Sequence, residues 1–295
     1  MLFPLPPASM TRVGVPDLRG AWADLLERRT AFATSLVLYG DIVELWAAHE
    51  PAIAPLAWSA ARARAVWERG LPLAAVAPPP LAADAVEPLL GPAMELLVAV
   101  RPARGDAVQR FAEAWDRGDV TTAALLPAPG GVGTVDAALG LDADGVAFLA
   151  GVALRPALET YFAPCRGHLD GAEWDRGTCP FCGAPPGFGD LVEDGRRRLA
   201  CHLCGGGWTF PRLRCALCGL ADSKRLTRLE PSEKDEGYFV SACDACRGYV
   251  KEIDRRVRWN GGPALVEDWG SPHLDLIARR AGYRRPLPSL VELAG

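Results

Sequence analysis

Between residues 179 and 246 the chain repeats one short motif four times: CPFC at 179–182, CHLC at 201–204, CALC at 215–218 and CDAC at 243–246. A Cys-x-x-Cys turn brings two thiolates close enough to share one ion, and two facing turns supply the four sulfurs of a tetrahedral site. Four turns therefore predict two metal sites. The predicted ligands are Cys179, Cys182, Cys201, Cys204, Cys215, Cys218, Cys243 and Cys246.

The spacing of the motifs favours pairing between neighbours. Eighteen residues separate the first two motifs, within the range of a four-cysteine metal ribbon, and twenty-four separate the last two, slightly beyond it. An interleaved arrangement, first with third and second with fourth, stays open. Three motifs continue directly into glycine, at Gly183, Gly205 and Gly219, and the fourth reads Cys246-Arg247-Gly248. Glycine there allows positive φ and turns backbone N–H groups toward the sulfurs.

The alternative is a set of disulfides or unligated core thiols. Disulfides suit secreted proteins, but the first residues, MLFPLPP, show neither a basic region nor an unbroken apolar region of a signal peptide. The most apolar stretch, residues 71–100, is broken by prolines and carries three acidic residues, so it is not expected to span a membrane. We therefore expect a cytoplasmic protein, in which paired cysteines are more often metal ligands.

Length and charge limit the remaining possibilities. The 295 residues are enough for about two domains, and 49% hydrophobic residues is ordinary for a globular protein. The net charge of −4 gives no general attraction to nucleic acid or to an anionic membrane, and neither is expected as a partner. The sequence carries no signal for an oligomeric state.

Hydrophobic periodicity predicts an α-helical N-terminal domain, residues 1–164. A first rubredoxin-like module follows at 165–212, a second at 213–258, and a C-terminal helix and tail at 259–295. The fold class is therefore α+β. The segments between the motifs contain short β-forming stretches, too short for a large sheet, and each module has too small a core to fold without its metal.

Local signals refine these elements. Asp106, Asp142 and Ser271 are predicted helix N-caps, while Gly70 and Gly118 lie where helix C-termini favour glycine. Prolines 88, 92 and 156 are expected to kink or split their helices. Residues 1–16 and 127–133 are predicted to be irregular.

The order of the motifs and the segments between them resembles the FdhE family of formate dehydrogenase accessory proteins. The resemblance is carried by CPFCGAPP from residue 179, LACHLC from 199, Trp208, RCALCG from 214 and ACDACRGYVK from 242. It continues through Asp268, Leu274-Asp275 and GYRRP from 282, although the next residues read Leu287-Pro288 where the family pattern is Asn-Pro.

This resemblance implies a cytoplasmic maturation factor, or chaperone, and not an enzyme. Proteins of the family have a helical N-terminal domain and two rubredoxin-like modules, and they associate with the catalytic subunit of formate dehydrogenase. Iron is the metal linked to the family, and zinc fits four thiolates equally well. By resemblance, the first four cysteines hold one ion and the last four the other, with Tyr249 and Lys251 near the second site.

Other function classes are weighed against this one. Zinc ribbons often bind nucleic acid, and residues 196–198 form a short basic run, but a solvated loop is the simpler interpretation. Rubredoxin-like electron transfer and dithiol exchange are further alternatives, although a thioredoxin-like unit is not visible. No catalytic motif is recognised. Cys165 is interpreted as a spare thiol and His202 as a loop residue.

Overall fold

The structure is a computed structural model, and it describes residues 15–127, 139–169, 174–231 and 235–294. The predicted irregular stretches at 1–16 and 127–133 lie mostly outside these ranges. In the described part, helices α1 to α10 span Val15–Arg28, Val37–Ala47, Ala60–Trp67, Ala83–Val100, Gly105–Asp116, Thr122–Leu125, Ala143–Phe162, Ala264–Trp269, Pro272–Arg280 and Leu290–Ala294. Strands β1 to β6 span Phe188–Leu191, Arg197–Ala200, Gly207–Phe210, Leu226–Leu229, Tyr238–Cys243 and Tyr249–Asp254.

Helix α7 is the centre of the helical domain. Fifteen of its twenty residues are buried, and it packs along α4. Ala143–Leu169 is long and apolar enough to cross a membrane by length and composition, but 78% of its most apolar window is buried inside the fold, as expected for a core helix. Prolines 88, 92 and 156 do not split the helices: α4 and α7 both run through them.

The strands form a single six-stranded sheet in the order β3-β2-β1-β6-β5-β4. Each module contributes three antiparallel strands in chain order, with one cysteine motif before its first strand and another between its second and third. The modules meet where β1 pairs in parallel with β6, with Phe188 opposite Lys251. The first strand of one module thus joins the third strand of the other, and the expectation that no large sheet would form is wrong.

The first module is fastened to the helical domain through backbone groups of its first cysteine turn. The indole Nε1 of Trp67 donates to the carbonyl of Pro180 at 2.9 Å, and the backbone N–H groups of Leu73 and Ala74 donate to Pro180 and Phe181 at 2.9 Å each. These bonds hold the turn against the helical domain. In addition, one hydrophobic core continues from the helices into the first module.

A second, smaller core lies between the sheet and the C-terminal helices. Helix α9 places Leu274 and Ala278 against Tyr238, Val240 and Ile253 of the last two strands. Three short helices, α8 to α10, occupy the region where one helix and a tail were expected. The fold class is otherwise confirmed: a helical N-terminal region precedes two four-cysteine modules.

The predicted helix ends are partly correct. The Asp142 carboxylate accepts from the backbone N–H of Gly145 at 2.7 Å, as an N-cap does, and Gly70 and Gly118 have φ of 67° and 77°. Helix α5 begins at Gly105, so Asp106 lies in its first turn. Ser271 precedes α9 without capping it, because its hydroxyl donates back to the carbonyls of Glu267 and Asp268.

Candidate metal centres

All four Cys-x-x-Cys motifs fold into the same backbone turn. The N–H of the residue after the second cysteine donates to the carbonyl of the first cysteine at 2.9 to 3.0 Å. That residue has positive φ in every turn: 84° at Gly183, 68° at Gly205, 77° at Gly219 and 57° at Arg247. Three of the four are glycine, which takes this conformation without steric cost. The sequence pattern predicted these turns, although at the fourth the strained position is Arg247, not Gly248.

Arg247 keeps its unfavourable conformation because its side chain is held from several directions. It is the one non-glycine with positive φ among the described residues. Its guanidinium donates to Asp244 Oδ1 at 3.0 Å and to the carbonyl of Ala281 at 2.7 Å, and it lies 4.1 Å from the ring centroid of Tyr283. These contacts tie the last cysteine turn to the C-terminal end of α9, where exposed helix carbonyls favour a cation.

The first cluster is fully enclosed. The Sγ atoms of Cys179 and Cys204 are 3.5 Å apart, as are those of Cys182 and Cys201. All four Sγ atoms lie within 4.8 Å of one another, and none of the four residues is more than 3% exposed. All four cysteines belong to the core that continues from the helical domain.

The second cluster has the same connectivity but lies at the surface. Cys215 and Cys246 have Sγ atoms 3.8 Å apart, as do Cys218 and Cys243. Cys215 and Cys243 are buried, whereas Cys218 and Cys246 are exposed. Backbone N–H groups of Leu217 and Cys218 point at the Cys215 sulfur at 3.4 and 3.5 Å, the arrangement that stabilises thiolate charge.

The geometry of both clusters fits a tetrahedral ion. A metal–sulfur bond of about 2.3 Å places tetrahedral sulfurs roughly 3.8 Å apart, close to the observed 3.5 and 3.8 Å. A disulfide needs sulfurs about 2.05 Å apart, and all nine cysteines are free. The structure therefore pairs the motifs as neighbours, first with second and third with fourth, and each cluster could bind one ion.

The electrostatics of the first cluster also favour a cation. Burial raises the pKa of the Cys179 and Cys182 thiols well above the ordinary value. Burial acts in the same direction on Cys201, but hydrogen bonds from the other three thiols outweigh it and hold the Cys201 pKa well below its usual range. A divalent ion would compensate the remaining thiolate charge, so binding should release protons.

Sequence comparison finds FdhE homologs that match this chain over part of their length. No family model matches the chain. A protein FdhE homolog from Stutzerimonas stutzeri (strain A1501) is 34% identical over 125 residues, which cover 41% of this chain and 40% of the relative. Another from Aquifex aeolicus (strain VF5) is 31% identical over 135 residues, covering 44% and 46%. The matched part thus spans less than half the length of either relative.

A solved structure extends the likeness over nearly the whole chain. The crystal structure of the FdhE protein from Pseudomonas aeruginosa superposes with a TM-score of 0.61 at 26% identity, covering 95% of this chain and 96% of the other. The chain resembles FdhE proteins in sequence over part of its length and in fold over nearly all of it. The predicted resemblance to FdhE is therefore confirmed.

Several of the residues outside the cysteine motifs that resemble FdhE meet in one buried ion cluster. Lys251 Nζ lies 3.0 Å from Asp268 Oδ1 and 2.7 Å from Asp275 Oδ2, and Arg285 donates to Asp268 Oδ1 at 2.9 Å. The Tyr249 hydroxyl donates to Asp275 Oδ1 at 2.7 Å. Two cations thus balance two carboxylates, with every charged side chain at most 5% exposed.

The charge balance determines the protonation of this cluster. Burial alone would raise the pKa of Asp268, but Arg285 and Lys251 hold it well below the usual range. Conversely, burial alone would lower the pKa of Arg285, and the two carboxylates raise it well above its ordinary value. Tyr249 and Lys251 therefore join the second module to the C-terminal helices through this cluster.

His202 belongs to the same ion cluster, which sequence reasoning missed. It lies inside the second cysteine turn, and its Nε2 is 3.0 Å from Asp268 Oδ2. Burial lowers its pKa, so the neutral ring donates to the carboxylate. His202 lies in a turn, as expected, and neither four-cysteine cluster includes it, but its contact with Asp268 was not predicted. The tail residues that resemble FdhE, Asp268 and Arg285, were the signal that could have linked His202 to a buried polar cluster.

Two other predictions concern side chains near the modules. Cys165 lies outside both clusters, buried, with its Sγ 3.4 Å from the carbonyl of Leu56, as expected for a spare thiol. The basic run at 196–198 is not a solvated loop. Arg197 and Arg198 lie on β2, and the buried Arg197 pairs with Glu252. Arg196 pairs with Asp194, so the three arginines form no continuous cationic face.

Proposed function

We propose that this protein is an accessory factor for the maturation of formate dehydrogenase. The observation that carries the proposal is the likeness to an FdhE structure over 95% of the chain, together with two four-cysteine clusters in the modules. The role itself comes from the family resemblance. The same resemblance supports a cytoplasmic protein that binds the catalytic subunit of formate dehydrogenase before that subunit leaves the cytoplasm.

Each cluster would hold one ion, Cys179, Cys182, Cys201 and Cys204 the first and Cys215, Cys218, Cys243 and Cys246 the second. Iron is favoured by the resemblance, and zinc fits the same donor set. Iron held by four thiolates can exchange one electron when bound, whereas zinc cannot. The burial difference supports a division of roles: the first ion stabilises the fold, and the second lies where a partner could reach it.

The nearest alternative class is rubredoxin-like electron transfer without a client. The exposure of Cys218 and Cys246 favours it, because electron transfer requires a site near the surface. A zinc-ribbon nucleic-acid role has weaker support, since Arg196 and Arg197 are already paired with acidic side chains. Both alternatives predict that loss of the protein leaves formate dehydrogenase activity intact.

A genetic test separates these functions. In the native host, deletion of the gene should abolish or strongly reduce formate dehydrogenase activity, and the wild-type gene should restore it. A Cys218→Ser, Cys246→Ser variant should fail to restore activity although it still folds, because it lacks only the two exposed ligands. Cys165→Ala is the control, since this thiol lies outside both clusters. Full activity in the deletion strain would contradict the proposal.

Metal analysis tests whether the bound ions can exchange electrons. Protein purified anaerobically from its native host should contain two ions per chain and the absorption of thiolate-bound iron. Zinc alone at both sites would remove the electron-transfer role while leaving the role in maturation. Identification of co-purified polypeptides by mass spectrometry would show whether the catalytic subunit is bound.

A further inference from the structure

A wide cleft separates the helical domain from the outer edge of the first module. Its volume is about 1050 Å³, and its walls come from the end of α3, the segment before the first cysteine turn, the turn between β1 and β2, and the end of β3 with the turn that follows it. It therefore lies where four separate parts of the chain meet. Trp67, Trp174 and Phe210 supply aromatic surface to its lining.

Three exposed arginines, on three of these four walls, have no ionic partner. Within residues 15–127, 139–169, 174–231 and 235–294, Arg69, Arg176 and Arg212 all line the cleft, and none makes an ion pair or a side-chain hydrogen bond. Gly70 makes room for one of them: a Cβ there would lie 2.2 Å from Arg176 Nη2. Unpaired cations around a concave surface give it a positive potential, although the whole chain is acidic.

One further residue of the cleft lining, Arg197, has a buried polar atom without a partner. Arg197 is 4% exposed and pairs with Glu252 through its terminal nitrogen, but its Nε has no hydrogen-bond partner. Its guanidinium lies 5.7 Å from the ring centroid of Phe210. A buried donor with no acceptor costs free energy unless a ligand or water satisfies it. The cleft thus combines a cationic rim, an aromatic lining and an unsatisfied donor.

We propose that this cleft binds an acidic, extended segment of a partner polypeptide. Carboxylates suit the flat guanidinium groups of the rim, and the aromatic lining accepts the apolar parts of such a segment. A nucleic acid fits less well, because Glu68, Asp175 and Asp194 also line the cleft and would face a continuous row of phosphates. A peptide can place neutral residues opposite these acids.

The inference rests on the proposed function only for the identity of the partner. Its chemistry can be tested with the full chain and three fluorescent probes: a peptide of alternating Glu and Gly, the same peptide with Gln for Glu, and a single-stranded DNA oligonucleotide. Binding is followed by fluorescence anisotropy at low and at physiological salt. The Glu peptide should bind more tightly than the Gln peptide, and added salt should weaken it.

Substitutions of the cleft arginines test whether the Glu peptide binds in the cleft. Arg69→Gln, Arg176→Gln and Arg212→Gln together should weaken binding of the Glu peptide by about tenfold, since each exposed pair contributes modestly. The matched control combines Lys224→Gln, Arg280→Gln and Arg284→Gln, which removes the same charge from exposed positions elsewhere and should stay within about twofold of wild type. All six side chains are exposed, so both variants should keep the melting temperature of the wild type.

Equal losses in both triple variants, or equal binding of the Glu and Gln peptides, would overturn the proposal. So would a DNA probe that binds more tightly than the Glu peptide and loses affinity in the cleft variant, which would mark a nucleic-acid surface. These outcomes are independent of the genetic test. Restoration of formate dehydrogenase activity by the cleft variant, with no binding of the Glu peptide to wild type, would reject the cleft and leave the maturation role standing.

Discussion

The two cysteine clusters differ in burial although they share ligands, spacing and backbone turns. In the first cluster no cysteine is more than 3% exposed, and all four belong to the core of the helical domain. In the second, Cys218 and Cys246 are exposed and none of the four cysteines belongs to either hydrophobic core. The local sequence therefore forms the turn, while the neighbouring elements determine what can reach the sulfurs.

The helical domain encloses the cysteines of the first module, whereas it reaches the second module through Arg29, which pairs with Asp235 and lies over the Tyr238 ring. Pro72 lies against the first cysteine turn, 3.3 Å from where a Cβ of Gly183 would be, and Arg166 donates to the carbonyl of Cys204 at 2.6 Å. The fourth turn, in the second module, contacts the C-terminal helices instead, through Arg247. A duplicated metal ribbon has thus acquired one enclosed site and one open site.

The largest expected effect is on the rate of metal release. In zinc-loaded protein mixed with excess chelator, one ion per chain should leave at least about 100-fold faster than the other, because only the second cluster can be attacked without local unfolding. Zinc release would be followed with a colorimetric indicator. The Cys218→Ser, Cys246→Ser variant should lack the fast phase. A single rate for both ions would show that the burial difference has no functional meaning.

Removal of the first pair of cysteines from each cluster should lower the stability of the protein by different amounts. Cys179→Ser with Cys182→Ser should lower the free energy of unfolding by at least about 4 kcal/mol, because loss of the ion leaves polar groups unsatisfied inside the main core. Cys215→Ser with Cys218→Ser should cost less, since the helical core does not include that cluster. Urea unfolding followed by far-ultraviolet circular dichroism measures both. Equal losses in the free energy of unfolding of the two variants would contradict the difference between the enclosed and the open cluster.

The next largest effect on stability is expected at a point where the two modules approach each other closely. Gly177 precedes the first cysteine turn, and a Cβ there would lie 1.7 Å from the carbonyl oxygen of Ala216 in the third turn. Gly177→Ala should therefore cost about 3 kcal/mol, because backbone must move. Gly151→Ala on α7 is the control: nothing lies within 4 Å of its Cβ, so this helix substitution should be neutral or stabilising. Denaturant titration of both variants decides the outcome.

The smallest effect concerns the fourth turn, where Arg247 replaces glycine. Arg247→Gly and Arg247→Ala both remove the side-chain contacts, but only glycine relieves the positive φ of 57°. The glycine variant should be more stable than the alanine variant by about 1 kcal/mol. The same order is expected at the first turn, where the natural residue is glycine and Gly183→Ala should be destabilising. Thermal unfolding of the three variants provides the measurement, and identical stability of the two Arg247 variants would exclude backbone strain.

Much of the candidate site could be predicted because its signals are local. Four cysteine motifs with fixed spacing indicated two tetrahedral sites, and loop length favoured neighbour pairing without excluding the interleaved arrangement. Helix periodicity located most helices of the N-terminal domain, including the one that begins after Asp142. The two strands that join the modules were missed. The sequence YVKEID of β6 contains Lys251, Glu252 and Asp254, which conceal a fully buried strand.

The sequence by itself determined the cysteine turns, the chemistry of their ligands and the resemblance to FdhE, because these depend on residues a few positions apart. Only the tertiary structure decided that both modules share one sheet, that Lys251, Asp268, Asp275 and Arg285 neutralise one another inside it, and that one cluster is enclosed while the other is open. The physical reason is that burial and charge pairing depend on which distant elements pack together.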